Sequence, residues 1–158
     1  MFLDTTRFGK IEIDVDTVIT FTQPIIGFPQ YRRFVLLPGP DNSSLHWLQS
    51  TESGEMAFLL MNPHLYVPDY KVELNTHDMN ELAVETASDL EVFTLLVVPA
   101  DPSQIRTNLK APLVINTRQR LGKQIVLEMS DYPIQFYLSR HMQEARERKE
   151  AINARTDT

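Results

Sequence analysis

The chain has 158 residues, 42% of them hydrophobic, which is enough for the core of one domain. It contains no cysteine, which excludes disulfides, thiolate metal sites and a cysteine nucleophile. The formal net charge of −6 argues against direct binding to nucleic acid and favours a basic protein partner. Because no secretory signal and no bilayer-spanning apolar run is visible, we expect a cytoplasmic protein without membrane contact.

The first regular element is predicted in KIEIDVD (residues 10–16), where apolar and acidic residues alternate. This period of two is typical of a strand with one solvated face. Glu12, Asp14 and Asp16 would form that face. We prefer this interpretation to a paired-carboxylate catalytic site, because nothing else in the segment supplies chemistry.

Further short runs rich in valine, isoleucine, leucine and phenylalanine predict more strands. These runs are VITF (18–21), RFVLLP (33–38), LHWLQS (45–50), EMAFLLMN (55–62), YKVEL (70–74), EVFTLLVVP (91–99), APLVINT (111–117) and KQIVLE (123–128). Turn sequences separate them, and Pro38, Pro63 and Pro99 stand at strand ends, where a missing N–H costs little. The pattern predicts an all-β (mainly β) barrel or sandwich with small helices.

Two segments have helical character. Residues 75–84 offer Asn75 or Thr76 as N-cap, with acidic residues in the early turns. Residues 139–155 have high helix propensity but only a weak apolar stripe. We therefore divide the chain into one β domain (1–137) and a charged helical tail (138–158).

Charge is segregated in the second half of the chain. Residues 73–101 contain seven acidic residues and no lysine or arginine, whereas residues 102–127 contain five basic residues and no acid. Pairing of the two blocks within one molecule is slightly preferred. The alternative is that the acidic block attracts a basic partner.

The Gly122–Lys123 pair does not fit a phosphate-binding loop, which needs a second upstream glycine, a following serine or threonine, and a helix. We interpret Gly122 as a left-handed residue ending a hairpin loop of residues 118–122. The basic residues of 106–123 have no aromatic neighbours, which weakens the alternative of a small-barrel RNA-binding module using this hairpin.

No histidine pair has the spacing of a metal site, and no nucleophile elbow is present. A triad built from His64, Asp69 and a serine is the remaining catalytic hypothesis. Without an activating motif, we favour a binding protein without cofactor over an enzyme.

The segment MNPHLYVPDY (61–70) combines apolar residues, two tyrosines and two prolines. Prolines reduce the entropy lost when a loop becomes ordered, and tyrosine is common at interfaces. The segment fits a partner-binding loop and a capped connection between two strands equally well.

Several blocks, in order along the chain, resemble the flagellar assembly factor family FliW. They are FGKIEID near the start, IGFPQYRRFVLLP (26–38), MAFLLMNPHLYVPDY (56–70), DLEVFTLLVVP (89–99) and NLKAPLVINTRQRLGKQIVL (108–127). The last is similar to the family's N-L-x-A-P-apolar-apolar-I-N, followed after a short basic loop by G-K-Q-apolar-apolar-L. The resemblance covers about residues 1–130 and implies a small, barrel-like antiparallel β domain without catalysis.

The resemblance also implies two protein partners. One is newly made flagellin, and the other is CsrA, a small basic mRNA-binding repressor of flagellin translation. Export of flagellin would free the FliW-type protein, which would then capture CsrA and relieve repression. The antagonism would be allosteric, because the protein binds beside the RNA site of CsrA and not on it.

We expect the protein-binding surface at the 61–70 loop, backed by the acidic segment. Asn62 and Pro63 match the family's N-P turn, and the other residues are chosen by type. The predicted site residues are Phe58, Met61, Asn62, Pro63, Leu65, Tyr66, Tyr70, Glu73, Glu81 and Glu85.

Overall fold

The computed structural model of the chain describes residues 1–39 and 44–138. Within these residues there are eleven strands and one α-helix. The strands are β1 (Phe2–Thr5), β2 (Gly9–Glu12), β3 (Ile19–Phe21), β4 (Arg33–Pro38), β5 (His46–Ser50), β6 (Ala57–Met61), β7 (Leu90–Val97), β8 (Arg106–Thr107), β9 (Leu113–Asn116), β10 (Leu121–Gln124) and β11 (Phe136–Tyr137). The helix α1 is Thr76–Glu81, and short 3-10 helices lie at Val15–Thr17, Pro63–Leu65, Ala87–Asp89 and Pro102–Gln104.

Seven strands close into a barrel in the order β7, β6, β5, β4, β3, β10, β9, because β9 pairs again with β7. Strands β8 and β11 extend the sheet from β7, and β1 and β2 form a separate hairpin. The predicted mainly β barrel is confirmed. All its pairs are antiparallel as predicted except one, since β10 runs parallel to β3.

The barrel interior is filled by aromatic and aliphatic side chains from six of the seven wall strands and from Ile25. Phe21 and Phe34 meet edge to face with ring centroids 5.4 Å apart. Burying one such side chain contributes roughly 1.5–3 kcal/mol. The cluster consists of Ile19, Phe21, Ile25, Phe34, Leu48, Leu60, Phe93, Leu113 and Ile115.

A second apolar cluster lies outside the wall, beneath α1. It contains buried Leu82, Val114 and Ile125 and is extended by partly buried residues that include Val72 and Leu74. Strand β9 is therefore buried on both faces, with Leu113 and Ile115 facing inward and Val114 facing the second cluster. This explains why its sequence is a continuous apolar run and does not alternate with polar residues.

Asn116 ends β9 as a buried polar residue whose side chain is fully used. Its amide nitrogen donates to the carbonyl of Leu82, at 2.8 Å, just after α1. Its amide oxygen accepts from the backbone N–H groups of Arg118 and Gln119, both at 3.1 Å. One side chain thus ties the end of α1 to the turn between β9 and β10.

The predicted role of Gly122 is wrong. The turn occupies residues 117–120, and its left-handed residue is Arg120, with φ of 55°. Gly122 lies inside β10, where a Cβ atom would sit 2.8 Å from the ring of Phe21. The glycine is needed for close approach of Phe21, not for backbone freedom in the turn.

Most predicted strands are confirmed, with ends shifted by up to four residues, and the short helix 75–84 appears as α1 with Asn75 as its N-cap. Residues 70–74 do not form a strand, so that prediction is wrong. In KIEIDVD the strand ends at Glu12, because the Asp14 side chain accepts from the Asp16 N–H and begins a 3-10 turn. The predicted tail helix lies outside the described residues. Among the described helices, none is long and apolar enough to cross a bilayer.

Substituting Gly122 with alanine should destabilise the fold by about 1–3 kcal/mol, because the added methyl group overlaps the Phe21 ring. Urea denaturation gives the free energy of unfolding. The double variant Phe21→Leu/Gly122→Ala is the control, and its loss should be smaller than the sum of the single losses. Additive losses would show that the two residues are not in steric conflict.

Candidate protein-binding site

The loop after β6 is ordered by its own side chains. The Asn62 side chain accepts from the His64 N–H at 3.0 Å and caps the 3-10 turn Pro63–Leu65. Pro63 occupies the first turn, where no N–H is required. The Val67 N–H then donates to the Pro63 carbonyl at 2.9 Å. The N-P pair therefore begins a compact loop with a defined shape.

Tyr70 anchors the end of this loop. Its side chain is 3% exposed, and its hydroxyl donates to the Leu109 carbonyl. Its ring packs against that of Tyr132 with centroids 4.6 Å apart. Burial, assisted by Tyr132, raises the pKa of Tyr70 well above its usual value. Tyr70 thus holds the loop on the barrel and presents almost no surface to a partner.

The predicted apolar site residues differ in how far they are exposed to solvent. Met61, Pro63 and Tyr70 are buried within the chain, and Phe58 packs edge to face on Phe28 at 4.8 Å. Leu65 is 58% exposed. Because a partner can touch only what is exposed, the predicted apolar residue most available for contact is Leu65, with Asn62 exposed and Tyr66 half-buried beside it.

A cleft of about 480 Å³, here called the loop cleft, lies next to Leu65. The loop supplies Asn62, His64 and Leu65 to it. The opposite side consists of the first half of β7 and His46, whose ring meets Phe93 edge to face at 5.4 Å. The Nδ1 atom of His46 is buried and has no hydrogen-bond partner among the described residues. Because this atom is buried, it is not exposed in the cleft. The wall beside the loop is formed mainly by Leu90, Val92 and Phe93, as in a pocket for an apolar anchoring side chain.

Sequence reasoning did not find the β7 side of the loop cleft. The residues concerned lie about 30 positions from the loop and reach it through the pairing of β6 with β7. Leu90–Phe93 pair with β9 on one edge, whereas β6 ends opposite Thr94. The loop cleft forms where β6 and β7 part, and no local pattern marks that point.

Two residues of the acidic segment are committed to a buried ion-pair cluster within the molecule. Lys123 on β10 lies 2.8 Å from Asp78 and 2.7 Å from Glu81, both on α1. Glu81 also accepts from the Thr22 hydroxyl at 3.1 Å and contacts the His77 ring at 2.9 Å. These contacts fasten α1 across β10 and β3.

The pKa values of Glu81 and Lys123 are both shifted so as to favour the charged form. The hydrogen bond from Lys123 lowers the pKa of Glu81 below its usual value. Burial opposes the charged form of Lys123, but its bonds to Asp78 and Glu81 outweigh burial and raise the Lys123 pKa. Glu81 is therefore a structural carboxylate in the free protein.

The remaining predicted acids are at the surface. Glu85 lies 3.8 Å from Arg118, and Glu73 lies 3.5 Å from Lys71, all four side chains being well exposed. Such pairs contribute little to stability and remain available to a partner. The preferred interpretation of the charge blocks, pairing within one molecule, agrees with the contacts of Lys123 and Arg118.

The hypothesis of a triad through His64 and Asp69 finds no matching geometry in the described residues. The His64 ring nitrogens contact the Asn62 side chain at 3.1 Å and the Tyr70 carbonyl at 2.8 Å. Both of these oxygens are acceptors, and a neutral imidazole carries one N–H, so the ring donates one hydrogen bond within its own loop. Residues 1–39 and 44–138 contain no group of three His, Asp or Glu side chains placed to bind a metal.

The model of the FliW protein family matches residues 3–138. The chain belongs to the FliW family. A relative in Alkaliphilus metalliredigens, named flagellar assembly factor FliW, is 38% identical over 148 residues, which are 93% of this chain and 91% of the relative. A relative of the same name in Bdellovibrio bacteriovorus is 37% identical and is matched over 85% of this chain and 77% of its own length.

A crystal structure of the flagellar assembly factor FliW has the same fold. Its TM-score to this chain is 0.80 at 31% sequence identity, and the match covers 87% of this chain and 96% of that one. The family resemblance inferred from the sequence blocks is confirmed. The partner-binding role of the individual residues stays a prediction.

Replacing Lys123 with methionine should lower the free energy of unfolding by about 3 kcal/mol, because buried Asp78 loses its partner. Lys71→Met is the matched control, and we expect a change below about 0.5 kcal/mol because its ion pair is exposed. Urea denaturation at neutral pH measures both. Equal losses in the two variants would mean that the buried ion pair contributes no more to the free energy of unfolding than the exposed one.

The lowered pKa of Glu81 predicts acid sensitivity. Its stabilisation is present above the usual glutamate value of 4.5 and is lost as pH falls through the lower folded value. Between about pH 5 and pH 3, wild type should therefore lose more stability than Glu81→Gln, whose amide does not titrate. Thermal denaturation across this range tests the difference. Parallel curves would argue against it.

Proposed function

We propose that the protein acts in flagellar assembly as a cytoplasmic, non-enzymatic factor that binds flagellin and the translational repressor CsrA. The observation that carries the proposal is membership of the FliW family over residues 3–138, with relatives named flagellar assembly factors. The described residues offer surfaces suited to protein contact, and the His64 ring is engaged in holding its own loop.

The loop cleft is the proposed primary contact. Leu65 projects from a loop held at one end by the Asn62 cap and at the other by buried Tyr70. A loop fixed before binding loses little entropy on association, so an exposed apolar residue on it is an efficient anchor. The neighbouring cavity would accept a large side chain of the partner.

Binding of flagellin and binding of CsrA are proposed to be coupled. While flagellin occupies the protein, CsrA remains free to repress flagellin synthesis. When flagellin leaves by export, the protein captures CsrA and relieves the repression. Thermodynamic linkage requires the coupling to be reciprocal, so CsrA must weaken flagellin binding by the same factor.

Electrostatic attraction is proposed to assist the capture of CsrA. The protein has a net charge of −6, and Glu73 and Glu85 remain at its surface. A basic partner would be attracted, whereas RNA would be repelled. Of the five basic residues in 102–127, Lys123 is buried in ion pairs and Lys110 donates to the Ser130 carbonyl, which weakens the RNA-binding alternative.

The substitution Leu65→Ser should weaken binding to at least one partner by about tenfold while leaving the melting temperature unchanged, because Leu65 is exposed. Isothermal titration with flagellin and with CsrA from the same organism measures the affinity. Val97→Ser is the control, since Val97 is also exposed but lies at the opposite end of β7. We expect Val97→Ser to bind like wild type.

Two results would count against this proposal in different ways. If neither flagellin nor CsrA binds wild type at micromolar concentration, the proposed function is wrong. If Val97→Ser weakens binding and Leu65→Ser does not, the partner uses another surface.

The affinity for CsrA should fall as salt is raised from about 50 to 500 mM, because exposed charges are then screened. Titrations at several salt concentrations give the slope. The double variant Glu73→Gln/Glu85→Gln should show a shallower slope than wild type. A salt-independent affinity would remove electrostatic attraction from the mechanism.

A further inference from the structure

The loop after β6 ends at a peptide group that is held from both sides. The carbonyl of the peptide between Tyr70 and Lys71 lies 2.8 Å from Nε2 of His64. Because a carbonyl oxygen can only accept, this contact is a hydrogen bond when Nε2 carries the proton. The N–H of the same peptide donates to the hydroxyl of Tyr132 at 3.1 Å. One peptide group therefore connects Tyr132 to His64, the residue directly before Leu65.

Tyr132 also contacts the loop through its ring. The ring centroids of Tyr132 and Tyr70 lie 4.6 Å apart, with the ring planes inclined by 44°. Aromatic pairs at such distances contribute contact energy beyond the burial of their area. Tyr132 thus touches both the side chain of Tyr70 and the backbone that follows it, although it lies 61 positions after Lys71 in the chain.

The segment that carries Tyr132 is fixed to the same part of the barrel as Tyr70. The Leu109 carbonyl accepts from the Tyr70 hydroxyl. The Leu109 N–H donates to the carbonyl of Pro133, the residue after Tyr132, at 3.1 Å. Leu109 therefore holds Tyr70 directly and holds Tyr132 through its neighbour, so the two rings keep a fixed relative position.

The two tyrosines differ in what they can contribute. Tyr70 is buried, and its loss would disturb the fold. Tyr132 is half-buried, does not line the loop cleft, and accepts its hydrogen bond from an exposed backbone N–H. A residue that holds the loop without reaching the cleft can influence a partner there only by setting the geometry of the loop.

We propose that Tyr132 is a positioning residue for the loop cleft. Its hydroxyl and ring fix the peptide group after Tyr70, and this peptide orients the His64 ring. His64 in turn fixes the position of the exposed Leu65 next to it. A loop held in one conformation before binding loses less entropy on association, so the affinity for a partner depends on Tyr132. The inference rests on the proposed function, because that function assigns partner contact to Leu65.

The first test needs no partner. Tyr132→Phe keeps the ring but removes the acceptor of the Lys71 N–H, so NMR of the full chain should show amide exchange at Lys71 about three- to tenfold faster than in wild type. The matched control is Tyr137→Phe, because the Tyr137 hydroxyl donates to the exposed side chain of Gln135 on the edge strand β11 side of the molecule. The control should leave the exchange at Lys71 unchanged.

The second test measures affinity by isothermal titration with the partner, flagellin or CsrA, whose binding is weakened by Leu65→Ser. We expect the affinity to fall about threefold in Tyr132→Phe and about tenfold in Tyr132→Leu, which also loses the ring contact. The melting temperature of Tyr132→Phe should stay at the wild-type value, and Tyr137→Phe should bind like wild type.

A double-mutant cycle separates positioning from a general structural effect. In the Leu65→Ser background, Tyr132→Phe should change the affinity by less than about 1.5-fold, because the residue that it positions has lost its apolar side chain. A purely structural role for Tyr132 predicts the same fold-loss with and without Leu65. If Tyr132→Leu does not fold, Tyr132→Phe decides the question alone.

Several results would overturn the inference. Unchanged exchange at Lys71 in Tyr132→Phe would do so, as would equal losses of affinity in the two backgrounds of the cycle. If Leu65→Ser weakens binding and Tyr132→Phe does not, this inference is wrong and the proposed function stands. If neither flagellin nor CsrA binds wild type, or Leu65→Ser binds both like wild type, the proposed function or its site is wrong and this inference falls with it.

Discussion

The pairing of β9 with two strands at once is the constraint on which the rest of the structure depends. β9 bonds to β10 on one edge and to β7 on the other, and this second ladder closes the barrel. Its side chains enter both apolar clusters. Asn116 at its end bonds both to Leu82 after α1 and to the turn between β9 and β10. Without β9 the wall would be an open sheet with two free edges, and α1 would have no surface to pack on.

The local sequence pattern located most strands of the sheet, but it did not predict the pairing of β9 with β7 that closes the barrel. RFVLLP and HWLQS have the composition of strands and form them, and Asn75 has the residue type of an N-cap and serves as one. Residues 70–74 show the same alternation, yet Val72 and Leu74 satisfy it by packing on the second cluster without a ladder. The two-residue strands β8 and β11 are too short to produce any periodic signal.

Residues defined by distant contacts were the hardest to interpret. Gly122 has no side chain because the ring of Phe21, about one hundred positions earlier, lies against it. Tyr70 is buried, and its hydroxyl donates to the Leu109 carbonyl. Glycine is common in turns and tyrosine is common at interfaces, and the sequence alone therefore assigned Gly122 to a turn and Tyr70 to an interface. The sequence predicts a binding surface at the loop after β6, and this stays a prediction. Only the fold separates anchoring Tyr70 from exposed Leu65.

The parallel pair β3–β10 joins residues about one hundred positions apart, and this separation has a consequence for how the chain folds during synthesis. β3 emerges early from the ribosome, whereas its neighbour in the barrel emerges only after residue 124. Until then β3 lacks a neighbour on one edge, and Phe21 has no wall on the side that Gly122 will occupy. Contacts of such high sequence separation slow folding and prolong the exposure of apolar edges. The barrel therefore cannot close until the ribosome has made β9 and β10, about one hundred residues after β3.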